Sequence, residues 1–317
     1  MGAIGGYFEL ELPKGEHYHK NAIRLNTARN CFEYVLRTRN YVKVYIPYYT
    51  CEVMLESICK LGVEYEFYHI NEKLEPTALP QLNANEAFLY TNYFGLKQEC
   101  VKRLTLVYGK QLIVDNAQAF YAEPLEGIDT FYSARKFFGV SDGAYLYTDK
   151  PLQREFEQDY SYERMLHLLK RIDLDAEVGY QDFRKNEDAL CNQEIKLMSK
   201  LTETILAGID YVAARKRRRE NYQRLDEVLG STNRIHFEMD IDCAPMVFPY
   251  LTDDVSLKQR MIDNKVFVAT YWPNVLEWCG EDNIEHFVAK NICFLPIDQR
   301  YGEEDMKAIL DTINITN

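Results

Sequence analysis

A lysine is usually a hydrated surface charge, but Lys136 stands where hydration is hard to keep. In DTFYSARKFFGVSDGAYLYTD it is followed by Phe137 and Phe138, preceded at three residues by Ser133, and set in a segment punctuated by Gly139 and Gly143. Apolar surroundings lower an ammonium's pKa toward nucleophilic usefulness, the condition a Schiff-base lysine needs. Asp115 and Gln118 lie upstream in LIVDNAQAF, just past a buried-looking strand, and open α/β sheets bind ligands outside the carboxyl ends of such strands. Asn26, Thr27 and Ala28 open a helical pattern, where free N–H groups and the helix dipole favour an anion. A lysine for an aldehyde, an aspartate for a ring nitrogen and donors for a phosphate together make the set that pyridoxal phosphate requires. In this reading Asp115 keeps the pyridine nitrogen protonated and Gln118 donates to the ring hydroxyl. The hydroxyls of Thr27 and Ser133 join the backbone donors at the phosphate.

Those residues need elements to hold them. Ala28, Phe32, Val35 and Leu36 fall at helical spacing behind polar Asn26-Thr27, which predicts an N-capped helix from about Leu25 to Leu36. VKVYIP, VEYEFYHI, EAFLYTNYF, QLIVDNA, DTFYS and AYLYTD read as strands, and EVMLESICKLG as a helix closed by Gly62. Their alternation predicts βαβ units and a largely parallel, covered sheet over roughly residues 20–150. Leu197, Leu201, Ile205, Ile209 and Val212 predict one long packed helix, a spine within the charged stretch Gln153 to Tyr222. Beyond Gly230, HFEMDI, APMVFPY and VFVATYW read as short strands around a helix near Ser256–Asn264, with LPI and a last helix from Glu303 to Ile313. The class is α/β: a large domain over 1–205, then a spine helix and a small α+β domain over 206–317.

Composition narrows the partners. The 317 residues carry 37 basic and 49 acidic side chains, a net charge of −12 that opposes non-specific attraction to nucleic acid or anionic lipid. The basic run Arg215 to Arg219 reads as a solvated helix face, and most of the 24 tyrosines as half-buried strand residues. Eight cysteines without a CxxC pair or Cys/His cluster read as buried thiols, with neither a bridge framework nor a metal site. With no secretory leader pattern and no run of eighteen apolar residues, a reducing, cytoplasmic setting and small-molecule partners are expected.

The chain resembles the DegT/DnrJ/EryC1/StrS family of pyridoxal-phosphate sugar aminotransferases over nearly its whole length. The resemblance is carried by GGYFELEL, NTARNCFEYVL, IPYYTCEVMLESICKLGVEYEFYHI, IVDNAQAF, KFFGVSDGAYLYT, KLMSKL and ICFLPIDQRYGEEDMKAIL. It implies the aspartate aminotransferase type I fold, with a mixed, mainly parallel sheet and a small C-terminal domain. It also implies a homodimer with sites at its interface, transfer of an amino group from a donor such as glutamate to a keto sugar carried on a nucleotide, and Lys136 as the cofactor-bearing lysine. Phe131 stands where the family has a phosphate serine, Ile195 where it has the partner's asparagine, and Cys51 where it often has the ring-stacking aromatic, so Tyr49 or Tyr48 is expected to help supply the ring face. Tyr93 and Tyr271 fall in segments similar to the family's substrate-facing loops, with a core or rim position as the alternative. Arg300 in LPIDQRY offers a fork for a donor carboxylate, with a surface role as its alternative. The departures leave two rival functions open: another acceptor or reaction on the same cofactor, and an idle paralogue that binds cofactor or sugar nucleotide.

Overall fold

A computed structural model describes residues 4–240 and 243–314. Among them the main sheet has seven strands: β1 (Ile23–Leu25), β2 (Lys43–Pro47), β3 (Glu64–Tyr68), β4 (Glu86–Thr91), β5 (Leu112–Asn116), β6 (Asp129–Ser133) and β7 (Ala144–Tyr147). Their spatial order is β1-β7-β6-β5-β4-β2-β3. Strands β2 to β6 run parallel, and β7 is antiparallel to both β6 and β1. The alternation of side chains explains the two covered faces. Leu89, Ile113 and Phe131 point toward α1 (Ala28–Arg39) and α2 (Met54–Leu61), while Phe88, Tyr90, Leu112 and Val114 share the opposite core with α3 (Gln98–Tyr108).

After β7 the chain forms a helical hairpin, α4 (Leu166–Asp173) and α5 (Ala176–Ala189), followed by α6 (Lys200–Ala207) and α7 (Tyr211–Leu229). The remaining elements are β8 (Val247–Tyr250), α8 (Leu257–Asp263), α9 (Val275–Trp278), α10 (Ile284–Asn291), β9 (Cys293–Pro296) and α11 (Glu303–Asn314), with β8 and β9 an antiparallel pair.

Four expectations need correction. The single spine helix is two helices: Gly208 ends α6, and Asp210 caps α7 by accepting from the Ala213 N–H at 2.9 Å. Gly208 lies so close to the N-terminal segment that a Cβ there would be 2.7 Å from the Pro13 carbonyl oxygen, a contact between residues far apart in sequence. HFEMDI forms no strand at residues 236–240, and Ile241 lies outside the described residues; VFVATYW contributes only the isolated bridge Ala269–Phe294. Apolar alternation there marks burial without a ladder: Trp272 packs edge-on against Tyr49. The basic run is not uniformly solvated, because Arg218 is 1% exposed. All eight cysteines are free, yet Cys59 and Cys191 are exposed instead of buried. No helix among the described residues is long and apolar enough to cross a membrane.

Candidate active site

Helix α1 begins where Thr27 leaves extended backbone, and its Oγ1 accepts from the Asn30 N–H at 3.1 Å. The N–H groups of Ala28 and Arg29 precede the first intrahelical donor, the Cys31 N–H that bonds the Thr27 carbonyl at 3.0 Å, so they are available to an anion. Asn26 behaves differently from the expectation. Its Oδ1 accepts from Asn30 Nδ2 at 2.8 Å and from the Lys196 N–H at 3.3 Å, and its Nδ2 donates to the Glu194 carbonyl at 3.1 Å. Its side chain is spent on joining α1 to residues 194–196.

Asp115 comes near the end of β5, in register with Thr91 of β4 and Phe131 of β6. Its Oδ1 accepts from the Ala117 N–H at 2.8 Å and its Oδ2 lies 3.5 Å from Thr91 Oγ1. Burial lifts its pKa to about 6, against the pull of the Ala117 N–H and of Lys136. Gln118 is buried; its Oε1 accepts from the Phe94 N–H at 3.2 Å, while its Nε2 has no partner. A buried donor without an acceptor is costly, so Gln118 is built for a group that can accept from it.

Ser133 closes β6 opposite Ala144, and the next three residues make the short turn that ends on Lys136. Solvent reaches Lys136, yet enough protein surrounds its ammonium that lost hydration lowers its pKa from the ordinary lysine value. Cys51 and Asp115 act on it in the opposite sense, whereas the like charges of Arg135 and Arg29 add to the lowering. The loop beyond is pinned by Asp142, which is fully buried and accepts from the Ser199 N–H at 2.8 Å, from Ser199 Oγ at 2.7 Å and from the Thr202 hydroxyl.

Cys51 is partly exposed, and burial with its apolar surroundings raises its thiol pKa against the pull of Lys136. Tyr49 is fully buried between Tyr93 and Trp272, its hydroxyl unpartnered, and Thr50 Oγ1 beside it is a second unpartnered buried atom. Tyr48 is stacked between Phe67 and His69 with centroids 4.6 Å from each.

Two substrate expectations are overturned. Tyr93 is a core residue: it is fully buried and its hydroxyl donates to the Tyr49 carbonyl at 2.9 Å, so it supports the loop. The Arg300 fork is taken by Asp298, at 2.7 and 2.8 Å, and is not offered to a carboxylate. Tyr271 remains partly exposed, packed on Phe94 and Phe294. Sequence reading missed Arg29, which pairs with Glu56 at 2.6 Å, and Arg135, which pairs with Glu187. Arg135 adjoins the lysine in the chain and could have been weighed; Arg29 is brought in only by folding.

No family model and no curated protein matches the chain. Solved structures do. The sugar aminotransferase CalS13 from Micromonospora echinospora is similar with a TM-score of 0.65 at 15% identity, over 93% of this chain and 87% of that one. A DegT DnrJ EryC1 StrS aminotransferase from Brucella abortus is similar with a TM-score of 0.60 at 14% identity, over 92% and 84%. Spr1654 from Streptococcus pneumoniae, in its PLP form, is similar with a TM-score of 0.63 at 11% identity, over 93% and 86%. The chain therefore has the fold of these proteins, the class expected from its sequence.

Proposed function

We propose that this chain is a pyridoxal-phosphate-dependent aminotransferase that moves an amino group from an amino acid such as glutamate to a keto sugar, the sugar carried on a nucleotide. The observation that carries the reading is the meeting of Asp115, Gln118, Ser133 and Lys136 at the strand ends of one sheet, with the open start of α1 among them. The donor set fits the cofactor: Gln118 Nε2 lacks an acceptor, Asp115 is a buried carboxylate facing a lysine, and Ala28 and Arg29 present unpaired N–H groups. When bound, pyridoxal phosphate supplies an aldehyde and an electron-accepting ring.

Asp115 would hold the ring nitrogen in its protonated form. Gln118 Nε2 would donate to the ring hydroxyl, and Thr27, Ser133 and the backbone at Ala28 would hold the phosphate. Cys51 and Tyr49 would bound the ring. Lys136 Nζ would hold the aldehyde carbon and, once displaced by the amino donor, take the proton from the donor's α-carbon. Its lowered pKa suits both tasks, because an unprotonated amine is the nucleophile and the base. A large domain over 1–205, a small one over 206–317 and a homodimer belong to the same reading. The similarity to sugar aminotransferases supports the sugar acceptor.

Borohydride reduction of cofactor-loaded protein, followed by peptide mass spectrometry, should place the adduct on Lys136, and Lys136→Ala should carry none. Excess glutamate should then yield 2-oxoglutarate in amounts matching the bound cofactor, without any sugar. An adduct on another lysine, or no product with glutamate, glutamine, aspartate or alanine, would overturn the assignment.

A further inference from the structure

Arg218 is a buried cation that the site described above does not use. It projects from α7, is 1% exposed, and touches no carboxylate among the described residues. Its Nε donates to Gln299 Oε1 at 2.8 Å, its Nη1 reaches the carbonyls of Met246 and Pro245 at 3.2 and 3.4 Å, and its Nη2 reaches the carbonyl of Phe137 at 3.4 Å. The guanidinium also lies over the Phe137 ring, 4.5 Å from its centroid. Asp298 acts on it from further off, both its oxygens being taken by Arg300.

A guanidinium held only by neutral acceptors is an expensive core residue, and a well-packed apolar side chain often stabilises as much or more. Its cost points to geometry. Attachment of α7 to the turn after β9 does not require it, since Asn221 Nδ2 already donates to the carbonyls of Ile297, Asp298 and Tyr301 at 3.2, 3.3 and 3.0 Å. Arg218 adds a third body, the loop of Lys136. Gln299 completes the arrangement: its Oε1 accepts from Arg218 while its Nε2 donates to the same Phe137 carbonyl at 2.7 Å.

We propose that Arg218 and Gln299 are positioning residues that clamp the Phe137 carbonyl, so that the turn after β9 and the orientation of the neighbouring Lys136 are set together. The inference rests on the proposed function only in taking Lys136 as the reactive group.

Cofactor-free protein offers the test. Amine labelling at graded pH, quantified at Lys136 by peptide mass spectrometry, reports how well that ammonium is solvated. The groups that act most strongly on Lys136, namely Cys51, Asp115, Arg29 and Arg135, are untouched in every variant, and the charge at Arg218 changes only in Arg218→Met. Arg218→Met should free the loop, hydrate Lys136 and move its labelling midpoint up by about half a pH unit or more. Gln299→Leu removes both links without changing any charge, and should move the midpoint the same way. Arg218→Lys should restore part of the shift. Circular dichroism of bound pyridoxal phosphate should weaken in step. Gln299→Leu, which leaves every charge in place, decides between loss of the clamp and a direct effect of the Arg218 charge, and it decides alone if Arg218→Met fails to fold. Folded variants whose midpoints stay within about 0.2 unit of the parent's would overturn the clamp. Shifted midpoints in a protein that takes up no pyridoxal phosphate would uphold the clamp and defeat the proposed function.

Discussion

Asp115 carries opposing demands on one side chain. Its pKa is about 6 in the folded protein against an ordinary 3.8, because burial disfavours its charge. The cofactor-free protein therefore loses stability as pH rises through that interval, and above it bears a buried carboxylate at a cost of up to about 3 kcal/mol. Asp115→Asn should raise the unfolding free energy of cofactor-free protein at pH 8 by roughly 1–3 kcal/mol in a urea titration, with little change near pH 4. The same change should weaken pyridoxal phosphate binding, since a neutral amide cannot balance a protonated ring nitrogen. An equal stability gain at both pH values would assign the effect to packing. Asp115 and Lys136 were readable in the sequence because their types and flanking residues are unusual together. Arg29 was not, since it looks like any first-turn helix residue until α1 meets the lysine loop.

At the scale of elements, the junction of α1, β7 and α6 is fixed at Gly143. Its N–H donates to the Asn26 carbonyl at 2.6 Å, and its φ of +109° is one that side chains rarely adopt. A Cβ there would sit 2.8 Å from Thr202 Cγ2. Gly143→Ala should cost roughly 2–4 kcal/mol in chemical denaturation, from the backbone conformation and the clash together. Thr202→Ser removes the methyl but keeps the hydroxyl that donates to Asp142, so it should recover part of the loss in the double variant. No recovery would mean that the φ alone sets the cost. Strands β2 to β7 and the helices α1 and α2 were legible, because apolar period and a polar or glycine end agree; β1, three residues long, was missed, and its Leu25 was read as the start of the helix. The break between α6 and α7 was not read, since the apolar spacing runs through it and outweighed the local stop at Gly208 and the cap at Asp210.

Over the whole molecule, composition indicated a large core and an acidic surface, but which polar residues the core would accept was hidden. His19 is one: it is 2% exposed, its Nε2 donates to the Phe120 carbonyl at 2.9 Å, and its Nδ1 lies 3.2 Å from the Tyr147 hydroxyl. That arrangement fixes the N-terminal segment to β7 and to the chain after β5 with a neutral ring. Lost hydration lowers its pKa from 6.5 to about 4, partly offset by the Phe120 carbonyl. The unfolded chain takes up the proton first, so this stability is complete above pH 6.5 and lost as pH falls to about 4. The loss approaches about 3 kcal/mol, similar in size and opposite in sign to the gain from protonating Asp115 in nearly the same interval. In the parent protein the two cancel, and separate variants should expose each. Between pH 6.5 and 4.5 the unfolding free energy of Asp115→Asn should fall more steeply than the parent's, while that of His19→Asn should fall less or rise. Other carboxylates titrate alike in all three proteins and drop out of the differences. Parallel profiles would show that neither group differs in proton affinity between the folded and unfolded chain.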